Sequence, residues 1–281
     1  MSGSPAGGDG KRRRAGRARS VGRGNPSAGL VVLAACGAAL FAIPLLTLLA
    51  RAPWRELPAL LSGAVARDAL RLSLIASTAA TAISAVLGVP LAWILARVEF
   101  PGRALVRGLV LLPLVLPPVV GGAALLFALG RRGVLGEPLH EATGLVLPFT
   151  IWGVILAATF VAMPFLVITV EGALRSLDPR FEAAAATLGA GRWTVLRRVT
   201  LPLIGPSLGA GLALAWARAL GEFGATITFA GNLQGRTQTL PLAIFVALES
   251  DRDAAAALSL LMVAISLAVL VALRERWWRV R

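Results

Sequence analysis

Two residues able to do electrostatic work stand four apart in the stretch RALGEFGATITFAGN (218–232): Arg218 and Glu222, inside an otherwise apolar run. That spacing puts both on one face of a helix. A single charge at the centre of a membrane helix costs about 2.5–3.5 kcal/mol on insertion scales, so such residues face a partner or water and usually mark a pathway. Two readings are open. The pair neutralises itself near an interface, with the Arg218 stem reaching outward; or it borders a path where the guanidinium attracts an anion and the carboxylate keeps it from sticking. Around it, Gly221, Gly224, Thr226 and Thr228 fit a bending segment whose hydroxyls satisfy freed backbone groups, although small residues also help helices pack. Arg218, Gly221, Glu222, Gly224 and Thr226 are the candidate path or gate residues.

Other chemistry finds few residues to use. The single cysteine, Cys36, and the single histidine, His140, leave no disulfide, zinc or haem framework. Glu137, His140 and Glu141 cluster in sequence, but in a short segment of mixed charge that reads as a solvated loop. A nucleotide-binding P-loop needs a Gly-rich turn ending in Lys and then Ser or Thr. The only lysine, Lys11, is followed by Arg12, so the sequence holds no P-loop. No catalytic or metal-ligating residue is assigned, and no cofactor is expected on this chain.

The elements that must position the charged pair are written in the apolar runs. Of 281 residues 57% are hydrophobic and 15% charged, against about 45–50% and 25% in soluble domains, which indicates a membrane protein. A helix needs about 20 apolar residues to cross a bilayer. Gly29–Ala50, Leu72–Ala96, Gly108–Leu129, Leu147–Val170, a run from near Leu201, and Ala254–Leu273 meet that need, giving an all-α protein of six spans over 29–273. The first run is too long for the apolar core of a signal peptide. Pro113, Pro117 and Pro118 imply distortion of the third span. The fifth run, 203–230, would measure about 42 Å as one helix, so a break at Gly221 and Gly224 is expected. TLPLAIFVALES (239–250) is too short to span and reads as an outer re-entrant or interfacial helix.

A net charge of +14 suggests nucleic acid, but the arginines lie between and beyond the apolar runs, as topology demands. With the N-terminus inside, segments 1–28, 97–107, 171–200 and 274–281 carry 19 Lys or Arg, and the opposite segments 51–71, 130–146 and 232–253 carry 8. Both termini are therefore expected in the cytoplasm. Residues 1–28, with KRRRAGRAR at 11–19, read as a disordered basic tail on anionic lipid. Residues 274–281 read as a short tail in which Trp277 and Trp278 anchor at the interface.

One segment on that side is unlike the rest. EAAAATLGAGRWTVLRRVTLP (182–202) reads as a short alanine-rich helix, capped by Asp178-Pro179 and stopped at Gly189. A basic turn with Arg192, Trp193, Arg197 and Arg198 then leads to Leu201-Pro202. Physics alone allows an interfacial helix resting on headgroups as readily as a docking element. The segment resembles the EAA loop of ABC importer permeases: Gly189, nine residues, then Val199, Thr200, Leu201 and Pro202 fit that pattern. Glu182 departs from it by standing one place early, with Ala183 at the family's glutamate position. LPLVLPPVVGGAALLFALGRRGVLG (112–136), RALGEFGATITFAGN and QTLPLAIFVALES (238–250) resemble the molybdate/tungstate permeases, with sulfate permeases next.

The resemblance, which covers roughly Leu70 to Leu273, implies a type I ABC importer permease fold in the cell inner membrane. It implies a homodimer, an ATP-binding cassette subunit dimer holding ATP and magnesium, an extracytoplasmic oxyanion-binding protein, and no enzymatic activity in this chain. Glu182, Ala183, Ala184, Gly189, Leu201 and Pro202 become the coupling residues, and the Arg218 region lies near the external gate. Sulfate/thiosulfate or tungstate as cargo, an ATP-independent secondary transporter or channel, and a membrane scaffold are the alternatives.

Overall fold

A computed structural model describes the backbone of residues 27–278 and the side chains to Val271. The basic tail expected over 1–28, the last residues of the 274–281 tail, and the side chains of Trp277 and Trp278 lie outside these limits. The described residues form helices in the order α1 (Ala28–Ala50), α2 (Leu57–Ser62), α3 (Ala64–Arg97), α4 (Arg103–Val115), α5 (Pro118–Leu129), α6 (Gly136–Thr143) and α7 (Ile151–Ser176). There follow α8 (Arg180–Thr187), α9 (Arg192–Val195), a π turn (Leu196–Thr200), α10 (Leu201–Leu220), α11 (Gly224–Phe229), α12 (Leu240–Ser250) and α13 (Arg252–Trp278). The chain divides into two units at Thr47. The first contributes most of α1, an apolar helix of 23 residues. The helix packing that builds the core lies within the second, from Leu48 onward.

Among the described residues, five helical stretches are long and apolar enough to cross a membrane: Ala28–Ala50, Ala64–Arg97, Ile151–Ser176, Arg192–Leu220 and Arg252–Val271. The sixth expected run, Gly108–Leu129, is delivered in two pieces. Helix α4 ends at Val115 and α5 starts at Pro118, because Pro117 and Pro118 lack the N–H groups that a continuing helix would use. The fifth run breaks where its length requires, after Leu220, and the six-residue α11 restarts at Gly224.

The centre is an α3–α7–α10 sandwich. Its buried seam mixes small and branched residues: Ala80, Ala92 and Leu95 from α3; Ala158, Ala162, Leu166, Val167, Val170 and Leu174 from α7; Ile204, Ala215 and Ala219 from α10. Lipid chains are as apolar as leucine, so helices gain by close backbone approach, which alanine permits. A second cluster joins Leu240, Ala243 and Ala247 of α12 to Ala66 and Ala69 of α3 and Ala255 and Leu258 of α13. Helix α12 is thus seated against two spans, and its first free N–H is met: Leu240 N donates to Ser73 Oγ of α3 at 2.7 Å.

The tightest approach is between α5 and α11. A Cβ on Gly122 would lie 2.7 Å from the Ala225 carbonyl oxygen and 2.8 Å from Thr228 Cβ. One on Gly224 would lie 2.7 Å from Pro118 Cβ. Gly221, by contrast, has a backbone any residue adopts (φ −85°, ψ 10°), and a Cβ there would meet its neighbours only at ordinary contact distance, 3.6 Å from the Ala217 carbonyl oxygen and 3.8 Å from Met262 Cε. The break after Leu220 is therefore held by the close seating of Gly224 on α5 and not by any freedom of Gly221. Gly122→Leu is expected to lower the thermal midpoint of the detergent-solubilised protein by several degrees, an overpacking cost of about 1–3 kcal/mol. Gly108→Leu, with nothing within 4 Å of its Cβ position, is the control expected to leave it unchanged.

Candidate functional site

The charges expected beside a path meet at the break after α10. Arg218 Nη2 lies 2.6 Å from Glu222 Oε2, with Arg218 27% exposed and Glu222 2%. The other carboxylate oxygen, Oε1, accepts from Ala225 N at 2.8 Å. Glu222 therefore does two jobs: it neutralises Arg218 and caps α11, taking up an N–H orphaned by the break. The two threonines differ. Thr228 Oγ1 donates to the Gly224 carbonyl at 2.7 Å, as expected of a hydroxyl serving a bent segment. Thr226 is buried, and its hydroxyl has no hydrogen-bond partner among the described residues. Gly224 serves close packing against Pro118.

At the opposite ends of α3, α7 and α10 lies the Glu182–Pro202 segment. Asp178 Oδ1 accepts from Arg180 N at 2.9 Å and caps α8. The helix stops at Gly189, whose φ of +82° only glycine adopts cheaply. Gly189 N donates to Ala186 O and Ala190 N to Ala185 O, the paired bonds of a Schellman stop. Ala183, Ala184 and Gly189 are exposed. So are three large apolar neighbours: Phe181, Trp193 and Leu188, the last 88% exposed.

Two expectations about this segment need correcting. The loop does not start at 171: α7 continues to Ser176, so Glu171 is a buried helical residue. The stretch after Gly191 is not a turn. It forms one helical run from Arg192 to Leu220, widened at 196–200, where Leu201 N donates to Leu196 O five residues back. Pro202 gives the reason: it cannot donate to the carbonyl four residues earlier, and its ring pushes that carbonyl away. Glu182, unlike the exposed Ala183 and Ala184, is half-buried. Thr200 Oγ1 donates to Glu182 Oε1 at 2.7 Å, and Arg97 Nη2 lies 3.3 Å from Oε2.

Sequence reasoning missed a second carboxylate at this end. Glu171, 1% exposed, meets Arg175 Nη2 at 2.8 Å and Arg107 Nε at 3.3 Å. Arg175 also donates to the Leu95 carbonyl of α3 at 3.4 Å. The i,i+4 spacing of Glu171 and Arg175 was a legible signal, the same one that marks Arg218 and Glu222. Arg107, 64 positions away, gave none. Glu137 and His140 lie on the short helix α6 and not in an irregular loop. Near the other ends of α3 and α7, a cleft of about 390 Å³ is lined by Asp68, Arg71, Thr150 and Arg236, among others.

This is the fold of an ABC-importer permease. It matches a chain of a bacterial alginate ABC transporter, solved with an alginate pentasaccharide-bound periplasmic protein, with a TM-score of 0.72 over 90% of this chain and 94% of that one, at 19% identity. Sequence comparison goes further: residues 88–279 match the binding-protein-dependent transport system inner membrane component, and the chain belongs to that family. It is 48% identical over 245 residues to the molybdenum transport system permease protein ModB of Mycobacterium tuberculosis (strain ATCC 25618 / H37Rv), covering 86% of this chain and 92% of the relative. ModB of Escherichia coli (strain K12) is 44% identical over 210 residues, 75% of this chain and 92% of its own length. The sulfate transport system permease protein CysT of the same strain is 39% identical over 223 residues, 79% and 80% of the two chains. The protein is a multi-pass inner-membrane transport subunit.

Arg175→Ala would leave the buried Glu171 with Arg107 as its remaining partner. Because Arg175 is half exposed, the expected loss is about 2 kcal/mol, the scale of a hydrogen bond to a charged group. It should appear as a lowered thermal midpoint in detergent, with Arg197→Ala, at an exposed position, as the unchanged control.

Proposed function

We propose that the chain forms the translocation path for molybdate, or a similar tetrahedral oxyanion, as one of two identical copies. An ATP-binding subunit dimer docks on the cytoplasmic face of the 177–200 segment, and an external binding protein delivers the anion. Family membership carries this reading. The choice of cargo rests on relatives named for molybdenum transport at 44–48% identity. The sulfate permease at 39% keeps sulfate as the competing cargo, since both anions are tetrahedral. Orientation rests on the arginine bias, with both termini inside.

The mechanism is alternating access. ATP-driven closure of the partner dimer displaces α8, and the continuous helix from Arg192 to Leu220 carries that displacement to the break beside Arg218. Exposed Phe181, Leu188 and Trp193 around the α8 alanines support docking there, because an apolar cluster of this kind on a short loop marks a contact surface. Arg218, paired but 27% exposed, keeps part of its fork available to an anion. This chain contributes conformational coupling, and the nucleotide chemistry belongs to the partner.

Uptake of labelled molybdate into proteoliposomes holding the permease and its ATP-binding subunit should require both ATP and the binding protein. Uptake of sulfate with no uptake of molybdate would reassign the cargo. Gly189→Val, strained at φ +82°, should lose the ATP-binding subunit on co-purification; an unchanged complex would count against docking at α8. Arg218→Lys keeps the charge beside Glu222 but loses the planar fork. It should lower molybdate uptake about tenfold without moving the thermal midpoint, equivalent to one charge-assisted hydrogen bond.

A further inference from the structure

We propose that Glu182 is a positioning residue: an internal clasp that fixes α8 to the π turn leading into α10 and to the last turn of α3, and not a contact for the partner. The inference rests on the permease reading. Its motivation is the direction in which the carboxylate is used. The faces of α8 carried by Ala183, Ala184 and Ala186 are exposed, whereas Glu182 is partly buried and both of its oxygens are engaged within the chain. Oε1 takes the hydroxyl of Thr200, which is itself 1% exposed. Oε2 faces Arg97, the final residue of α3, where a cation is also favoured by the helix dipole.

The place of the contact matters as much as its partners. Thr200 ends the π turn, and π turns in helices are found often at functional sites. Between α8 and α10 the chain passes the Gly189 stop and the short residues 190–191. A push on α8 transmitted through that connection alone would be absorbed in backbone torsions. The Glu182 bridge bypasses it, linking residues 18 apart in sequence by a 2.7 Å hydrogen bond to a charged acceptor, the strong class of such bonds. Through Arg97 the same carboxylate reaches α3, which with α7 and α10 forms the buried seam. Docking and transmission are thereby assigned to different sides of one helix: the exposed alanines and Leu188 meet the partner, and Glu182 passes the movement on.

The test uses the complex of permease, ATP-binding subunit and binding protein in proteoliposomes, scoring anion transported per ATP hydrolysed. Glu182→Ala and Thr200→Val should keep the ATP-binding subunit at wild-type stoichiometry while transport per ATP falls about tenfold, the equivalent of one hydrogen bond to a charged group. Thr200→Ser, which keeps the hydroxyl, should restore it. Wild-type transport per ATP in both variants overturns the clasp. So does loss of the ATP-binding subunit from Glu182→Ala alone, which would make Glu182 a docking contact. A second arm needs no partner. Trypsin should cut the isolated Glu182→Ala permease after Arg192, Arg197 or Arg198 about tenfold faster than wild type, since cleavage follows local opening. An unchanged cleavage rate also overturns the clasp. If the wild-type permease never retains an ATP-binding subunit, the permease reading fails instead, and the trypsin arm still decides whether the clasp exists.

Discussion

Where lipid replaces water, a backbone N–H or C=O left over by a broken helix has no solvent to turn to, and each costs several kcal/mol if unpaired. This chain breaks its helices repeatedly, and most of its telling side-chain contacts answer that constraint. Glu222 takes the Ala225 N–H at the start of α11. Ser73 takes that of Leu240 at the start of α12, and Thr150 that of Gly153 at the start of α7. The interruptions persist because their loose ends are tied by residues that also hold neighbouring elements in place. This arrangement accommodates broken helices without exposing unpaired backbone groups to lipid.

The two ends of the α3–α7–α10 seam solve different problems with the same chemistry. At one, Arg218 and Glu222 form a compact pair whose carboxylate also caps a short helix. At the other, Glu171 and Glu182 each draw a cation from an element far away in sequence: Arg107 in the first case, beside the local Arg175, and Arg97 in the second. The first arrangement is local and leaves part of a guanidinium available. The second stitches helix ends together. The small residues between them allow close helix contact along the seam, so displacement at one end is not lost in loose packing.

Much of the fold was legible in the sequence, and the failures have a common cause. Runs of apolar residues gave the helices, and the excess length of 203–230 gave the break after Leu220. The alanines, Asp178 and Gly189 gave α8 with its cap and stop. These are local signals, readable within a few residues. Glu182 groups with the exposed alanines in sequence because local spacing cannot show that Arg97 and Thr200 approach it. Glu171 reads as a loop residue because the apolar run fades before the helix ends, although the pairing of buried Glu171 with two half-exposed arginines accompanies another turn or so of α7. Arg192–Arg198 looks like a turn because its charges interrupt the apolar pattern, although nothing in it breaks a helix.

The π turn carries one residue more than the α-helical repeat needs, and in an α-helix each residue accounts for about 100° of rotation. That residue offsets the angular phase of the arginine-bearing stretch from the phase of the span beyond it. Arg197 and Arg198 can therefore point outward while Thr200 and Ile204, a few positions on, are buried. A single-residue deletion between 196 and 200 would scarcely shorten the helix. It would let the widened turn close to α geometry, so that Ala215, Ala219 and Arg218 keep their azimuths while their numbering shifts by one against the arginine-bearing stretch.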